Sequence, residues 1–354
     1  MMNIADLVRR NIRELKPYSS ARDEFIGEAA VFLDANENPY PSPYNRYPDP
    51  LQKKLKQRIS ELKGVPMENI FLGNGSDEAI DLIIRAFCEP SQDVILITEP
   101  TYGMYAVCAD VNNVGVRRVT LTSDFQLDIE AIRANADPSV KAIFLCSPNN
   151  PTGNLLDLDS ILRLVREFRG LVVVDEAYID FAATESLTRY LDDNPNLVVL
   201  QTLSKAWGLA GLRVGMCFAS SFIIGILNKI KYPYNISSLT QQYALEALQN
   251  ERQKEAWVRE ILSERTAVTA ALKELSIVRR IYPSNANFIL VQVENAPLVY
   301  QKLVEQGTIV RDRSRVVLCE NCLRITIGTP SENVTLIRQL SEITTTELTT
   351  KSNS

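Results

Sequence analysis

One lysine stands out in the stretch QTLSKAWGLAGLRVG, residues 201–215, because it lies in a turn between hydroxyl-bearing residues and a glycine-containing segment. The chain contains no histidine, so the most common general base of enzymes is absent. Acid–base chemistry must therefore come from Lys, Asp, Glu, Tyr or Cys side chains. A lysine amine can act as such a base and can also bond covalently to a carbonyl group. Lys205 is therefore the first candidate for a catalytic residue.

A second group of residues could bind an anion such as a phosphate. The segment IFLGNGSDEAIDLIIRAF reads as a strand, a Gly-Asn-Gly turn and a helix, which places Ser76 and Asp77 where free backbone N–H groups favour an anion. Glycines of this spacing more often mark only a tight turn. Around the candidate lysine, however, Thr202 and Ser204 add hydroxyl groups and Arg213 adds a guanidinium that can bind phosphate through two hydrogen bonds.

Carboxylate, phenol and amide groups follow two other strand-like runs. Asp175 ends the apolar run LVVVD, and a buried carboxylate needs a cationic or hydrogen-bonding partner to stay ionised. A helix cap is the alternative role for this residue. Tyr178 follows three positions later, and the loop SPNNPTGN places Asn150 after another strand-like run.

Taken together, these groups match the requirements of pyridoxal 5′-phosphate. Its phosphate needs a helix N-terminus, hydroxyl groups and an arginine. Its pyridine nitrogen needs a carboxylate, and its aldehyde needs a lysine amine. Few other cofactors would use the whole set.

The elements that must position these residues are short apolar strands that alternate with amphipathic helices. The runs VILIT, AIFLC, LVVVD, LVVLQT and VGMCFA are apolar throughout, which is typical of strands buried on both faces of a mostly parallel sheet. The pattern predicts a doubly wound α/β fold. Ligands of such folds bind beyond the carboxyl ends of the strands, where the candidate residues lie.

The pattern changes after residue 235. A long, charged helix is predicted near residues 236–275, and the strand-like runs NFILVQV, TIVRDRS, RVVL and CLRITIG follow with few helices between them. We predict a large domain over residues 36–250 and a smaller α+β domain over residues 251–354. The N-terminal arm, residues 1–35, is expected to join the small domain.

Composition argues against several kinds of partner. The net charge of −5 and the pI near 5.2 give no general attraction to nucleic acid or to membranes, and no apolar run is long enough to span a bilayer. The first residues lack the apolar core of a secretory signal, and the six cysteines lie mostly in apolar runs, so we expect a cytoplasmic protein with reduced thiols. Cys319 and Cys322 form a CxxC without a second pair, so we interpret them as two strand residues and expect no metal.

Four motifs, in the same order along the chain, resemble those of the fold type I aminotransferases, which depend on pyridoxal phosphate. They are TLSKAWGLAG, NNPTG, DEAYIDF and LRIT. The resemblance spans most of the chain and implies a seven-stranded, mostly parallel sheet between helices, with a smaller α+β domain. Within the family, LKPYSSAR, DANENPY, NRYPDP, GNGSDE and VRDRS most resemble segments of the histidinol-phosphate aminotransferases.

The resemblance also implies roles for the cofactor residues. Lys205 would bond covalently to the cofactor and act as the base, and Asp175 would pair with the pyridine nitrogen. Asn150 and Tyr178 would bind the ring oxygen, and Tyr102 would stack on the ring. The phosphate would be surrounded by Ser76, Asp77, Thr202, Ser204 and Arg213, the first two through backbone N–H groups.

Further residues are assigned by the same resemblance to the substrate and to a second subunit. Arg311 and Arg324 would clamp the anionic end of the substrate beside Asn150, and Tyr18 would close over it. Tyr47 would reach the cofactor phosphate of the neighbouring subunit, which implies a homodimer with shared sites.

The implied reaction transfers the amino group of histidinol phosphate to 2-oxoglutarate, giving imidazole acetol phosphate and glutamate in histidine biosynthesis. Two alternatives stay open, an aromatic amino acid aminotransferase and a related lyase that decarboxylates threonine phosphate. A further hypothesis is a binding module, such as the aminotransferase-like domain of a transcription regulator. It lacks support here, because the chain has no appended helix-turn-helix segment and no surplus of basic residues.

Overall fold

A computed structural model describes residues 4–17 and 31–343 of the chain. Its strands form a seven-stranded sheet with the order β1-β7-β6-β5-β4-β2-β3 and a four-stranded sheet with the order β10-β11-β9-β8. The strands are β1 (Ile70–Asn74), β2 (Val94–Glu99), β3 (Gly115–Thr120), β4 (Val140–Cys146), β5 (Leu171–Asp175), β6 (Leu197–Thr202), β7 (Val214–Phe218), β8 (Val278–Ile281), β9 (Phe288–Val293), β10 (Arg311–Asp312) and β11 (Cys322–Thr326).

Helices lie between most of these strands. They are α1 (Arg10–Glu14), α2 (Lys53–Lys63), α3 (Ser76–Phe87), α4 (Met104–Val111), α5 (Ile129–Asn135), α6 (Leu158–Glu167), α7 (Ser221–Ile230), α8 (Ser238–Ala247), α9 (Glu251–Lys273), α10 (Ala296–Glu305) and α11 (Pro330–Ser341). None of the helices within residues 4–17 and 31–343 is both long and apolar enough to cross a bilayer.

The large sheet is mostly parallel, as the sequence predicts. Strand β7 runs antiparallel to its neighbours β1 and β6, and every other neighbouring pair is parallel. Six strands therefore end at the same edge of the sheet, the edge at which ligands of α/β folds bind.

Both faces of the large sheet are buried, which explains why its strands are apolar throughout. In β5, Val172 and Val174 pack in the core cluster on one face, whereas Leu171 and Val173 pack in the cluster on the other. Since successive side chains of a strand point to opposite faces, each face must carry apolar residues. A third cluster lies between the antiparallel small sheet and α9, α10 and α11.

The single long helix predicted near residues 236–275 is wrong in one respect, because two helices occupy this region. Helix α8 ends at Ala247, and α9 begins at Glu251 with the Asn250 side chain accepting a hydrogen bond from the Gln253 backbone N–H. The asparagine therefore caps a second helix, which begins three residues after the first has passed its C-cap at Leu248. The predicted domain limits at residues 35 and 250 stay predictions.

The prediction of a strand at RVVL, residues 315–318, is also wrong, because these residues form a turn. Leu318 has a φ of 61°, a left-handed conformation that extended strands do not contain. Cys319 follows in the same turn, so only Cys322 of the CxxC is a strand residue.

Candidate active site

The candidate cofactor residues lie around one cavity at the carboxyl ends of the parallel strands. Strand β5 ends at Asp175 and β6 ends at Thr202, so the segments that follow them meet at one edge of the sheet. The predicted residues that line the cavity are Ser76, Asp77, Tyr102, Asn150, Asp175, Tyr178, Thr202, Ser204, Lys205 and Arg213.

At one end of the cavity, Arg213 lies beside the N-terminus of α3. Its Nη2 lies 3.4 Å from Oδ2 of Asp77, whose other carboxylate oxygen accepts a 3.1 Å hydrogen bond from the Tyr102 hydroxyl. Gly75, with a φ of 77°, leaves room for this guanidinium, because a Cβ there would lie 2.5 Å from Nη2. The first N–H groups of α3 have no acceptor within the helix and are available to an anion.

Two hydroxyl groups lie beside this arginine and are not equivalent. Thr202 Oγ1 directs its single proton towards Ser204 Oγ at 2.9 Å or towards the Val214 carbonyl oxygen at 3.3 Å. When the Thr202 proton points to Ser204 Oγ, the proton of Ser204 is left for an anion, because each hydroxyl has one proton to donate. Thr202 therefore positions Ser204 in this arrangement.

Asp175 is the buried carboxylate of the site. Its oxygens accept a 2.9 Å hydrogen bond from the Tyr105 hydroxyl and a 3.0 Å bond from the Ala177 backbone N–H. Burial raises the pKa of Asp175 to about 6, because taking the carboxylate out of water disfavours its charged form, while both hydrogen bonds act in the opposite direction. A cation placed against this carboxylate would hold it ionised.

Tyr105 was not among the residues predicted from the sequence. It is completely buried between Tyr102 and Phe144, and its hydroxyl is the side-chain donor to Asp175. The available signal was its closeness to Tyr102, since Tyr105 lies three residues later, in the first turn of α4.

Lys205 faces Tyr178 and Asp175 across the cavity. Its Nζ lies 5.6 Å from the centre of the Tyr178 ring. Burial lowers the pKa of Lys205, and the positive charge of Arg324 lowers it further, whereas Asp175 acts in the opposite direction. A lysine with a lowered pKa is neutral in a larger fraction of molecules near pH 7–8, which a nucleophile or base requires.

Arg324 connects the small sheet to the cavity. Its Nη1 donates a 2.5 Å hydrogen bond to Oδ1 of Asn150, while Nδ2 of Asn150 lies 3.4 Å from the Tyr178 hydroxyl oxygen. Arg311 lies opposite Arg324 in the antiparallel pairing of β10 with β11 and is exposed. The two predicted clamp residues are therefore neighbours on the small sheet.

One predicted residue, Tyr47, lies away from the cavity of its own chain. Tyr47 is half exposed and stacks on Tyr234, with ring centres 4.4 Å apart, and neither lines the cavity around Lys205 of its own chain. Tyr18 lies outside the described residues.

The chemistry of these side chains fits pyridoxal phosphate. The N-terminus of α3, Ser204 and Arg213 would hold its phosphate, Asp175 would hold its ring nitrogen, and Lys205 would reach its carbonyl carbon. The buried Nε of Arg324 has no hydrogen-bond partner among the described residues, so donor capacity remains for an anionic ligand. Within residues 4–17 and 31–343, no cluster of Cys, Asp and Glu side chains could hold a metal ion.

Comparisons with known proteins show the family of the chain. The family model described as aminotransferase class I and II matches residues 30–340. The histidinol-phosphate aminotransferase of Parabacteroides distasonis is 58% identical over 343 residues, which are 97% of this chain and 99% of that protein.

Solved structures show the same fold. Histidinol-phosphate aminotransferase from Sinorhizobium meliloti, in complex with pyridoxal-5′-phosphate, matches with a TM-score of 0.77 at 22% identity over 87% of this chain and 89% of that one. The L-threonine-O-3-phosphate decarboxylase from Porphyromonas gingivalis matches with a TM-score of 0.71 at 25% identity over 84% and 90% of the two chains. Because the family model matches most of the chain and the Parabacteroides distasonis relative is 58% identical, this chain belongs to the class I and II aminotransferases.

Proposed function

We propose that this chain transfers the amino group of histidinol phosphate to 2-oxoglutarate, forming imidazole acetol phosphate and glutamate. The observation that carries the proposal is that Lys205 and Asp175 line one cavity with Arg213 at one end, while Arg324 reaches it through Asn150. The named relatives, which extend over nearly the whole chain, support the substrate.

The residues of the chain divide the work as follows. When bound, pyridoxal phosphate supplies a ring that accepts the electrons of the substrate's C–H bond. The neutral amine of Lys205 removes the proton from the substrate carbon that bears the amine and later returns a proton. Asp175 keeps a proton on the ring nitrogen, and Asn150 and Tyr178 orient the ring oxygen.

Substrate binding must accommodate two different anions. Histidinol phosphate carries a phosphate and no carboxylate, whereas glutamate carries carboxylates and no phosphate. Planar guanidinium groups bind either anion through paired hydrogen bonds, which suits Arg311 and Arg324. Tyr18 would close over the bound substrate.

We infer that the active form is a homodimer, with Tyr47 binding the cofactor phosphate of the neighbouring subunit. The half-exposed ring of Tyr47, and its place outside the cavity of its own chain, support this inference. The proposed site of action is the cytoplasm, which suits six free and buried cysteine thiols.

The test is a visible spectrum of the purified protein with pyridoxal phosphate, recorded while histidinol phosphate is added without a keto acid. The yellow band should bleach, and 2-oxoglutarate should restore it, whereas the Lys205→Ala protein should show no turnover. Bleaching only with phenylalanine or tyrosine would replace the substrate assignment. Carbon dioxide release from threonine phosphate would establish the lyase instead, and a protein that stays colourless would refute the cofactor assignment.

A further inference from the structure

A third arginine lies on the same face of the small sheet as the two clamp residues. The alternation along β11 directs Leu323 and Ile325 into the core of the small domain, whereas Cys322 packs in a core cluster of the large sheet. Arg324 therefore also faces the large sheet. Arg311 lies opposite Arg324, and the Arg313 backbone N–H donates a 2.8 Å hydrogen bond to the Cys322 carbonyl oxygen.

Arg313 follows β10 directly, and its backbone bond to Cys322 continues the antiparallel pairing, so by alternation it lies on the same side as Arg311. Its positive charge also acts on Tyr178, which lines the cavity. Burial raises the pKa of this phenol, and the positive charges of Arg324 and Arg313 both act against the rise.

The three guanidinium groups have no carboxylate partner in the part of the chain that the structure describes. Among the described residues, no Asp or Glu forms an ion pair with Arg311, Arg313 or Arg324, although arginine–carboxylate pairs are common elsewhere on the chain. The Nε atoms of Arg313 and Arg324 are both buried without a hydrogen-bond partner within residues 4–17 and 31–343.

Such a cluster is unfavourable unless an anion joins it. Burial lowers the pKa of Arg313, and repulsion from Arg324 and Arg311 lowers it further. Arg313 and Arg324 are partly buried, and a partly buried cation without a carboxylate beside it costs free energy that an anion recovers when it binds. The cluster is therefore prepared for a ligand that carries more than one negative charge.

We propose that Arg313 is a specificity-determining residue that contacts the anionic end of the substrate and favours a phosphate dianion over a carboxylate. The inference rests on the proposed function. A phosphate monoester carries a charge of about −1.5 to −2 near pH 7 and three acceptor oxygens, whereas a carboxylate carries one charge and two oxygens. Since the Coulomb energy scales with the product of the charges, a third guanidinium adds more to phosphate binding than to carboxylate binding.

The experiment compares kcat/KM for histidinol phosphate with kcat/KM for glutamate in the holoenzyme and in Arg313→Gln. Losing one charge-assisted hydrogen bond should lower the value for histidinol phosphate about 10- to 100-fold, mainly through KM. The value for glutamate should fall by a clearly smaller factor. Arg313→Lys, which keeps the charge without the planar group, should lie between the wild type and Arg313→Gln.

Arg315→Gln is the matched control, because this exposed arginine lies on the same loop and should leave both values unchanged. Equal losses for the two substrates, or no loss for histidinol phosphate, overturn the inference while the proposed function stands. A wild-type enzyme that does not use histidinol phosphate overturns the proposed function and this inference with it. The cofactor's visible band in each variant reports whether the protein has folded.

Discussion

At the scale of single residues, the site depends on charges held out of water. Asp175 is 3% exposed and sits at the end of a strand that is buried over its whole length. Asp175 could be identified from the sequence because it ends an apolar run. A buried carboxylate at such a place costs free energy unless it has a partner, which indicates a functional role. Its donor Tyr105 was missed, since a buried tyrosine within a helix has the same sequence appearance as an ordinary core residue.

The buried carboxylate makes a prediction about stability in the absence of cofactor. Its pKa of about 6 in the folded chain lies above the ordinary value of 3.8, so the folded chain keeps a proton that the unfolded chain loses between these values. The free energy of unfolding should therefore fall as pH rises from 4 to 6, by about 3 kcal/mol from this residue.

Asp175→Asn should remove this contribution. The measurement is denaturant unfolding of both cofactor-free proteins between pH 4 and pH 8. Subtracting one free energy of unfolding from the other cancels the contributions of the other titrating groups. The variant should gain stability relative to the wild type as pH rises. Two curves that run parallel over this range would contradict the buried, uncompensated carboxylate. In the holoenzyme the difference should shrink, since a cation at the ring nitrogen stabilises the charged form.

At the scale of elements, local signals identified most helices and strands. Strands such as β4 and β5 could be predicted because both their faces are buried, which gives an uninterrupted apolar run. The turn at residues 315–318 could not, because its apolar residues resemble a strand and only the left-handed Leu318 reveals the turn. The relation between Arg313 and Arg324 likewise depends on the register of β10 against β11, which no single segment encodes.

Helix α6 allows a test of a helix cap. The Asp157 side chain accepts a 2.9 Å hydrogen bond from the Ser160 backbone N–H and so caps the N-terminus of the helix. Asp157→Ala should lower the free energy of unfolding by about 1 kcal/mol, because one donor at the helix N-terminus loses its acceptor.

Activity should stay unchanged, since α6 does not line the cavity. Asp159→Ala is the control, because this exposed carboxylate lies in the first turn of the same helix without capping it. Chemical denaturation of the three proteins provides the comparison. Equal effects of the two substitutions would show that helix-dipole electrostatics, and not the cap hydrogen bond, stabilise this terminus.

At the scale of the whole molecule, the proposed sharing of sites between subunits can be tested by complementation. A dimer of one Lys205→Ala chain and one Tyr47→Ala chain contains one site with both wild-type residues if Tyr47 acts across the interface. Mixing the inactive Lys205→Ala protein with the impaired Tyr47→Ala protein in equal amounts, under conditions of subunit exchange, should restore about one quarter of wild-type activity through random pairing.

If Tyr47 instead served its own chain, each site of the mixed dimer would carry a defect and no activity would return. A mixture of Lys205→Ala with Asp175→Ala is the control. Both of these residues line the same cavity of one chain, so this pair should not complement.

The pairing of β1 with β7 also bears on how the chain is made. Strand β1 lies at the edge of the large sheet, with β7 as its neighbour, and Asn74 pairs with Val214. At typical rates of synthesis, the ribosome needs roughly 10–30 s to add the intervening residues. During this time β1 has no strand to pair with. Its apolar residues must therefore be shielded from aggregation by contacts other than those with β7. The contact between Gly75 and Arg213 therefore forms only after β7 has left the ribosome. The cofactor can consequently bind only late in the synthesis of each chain.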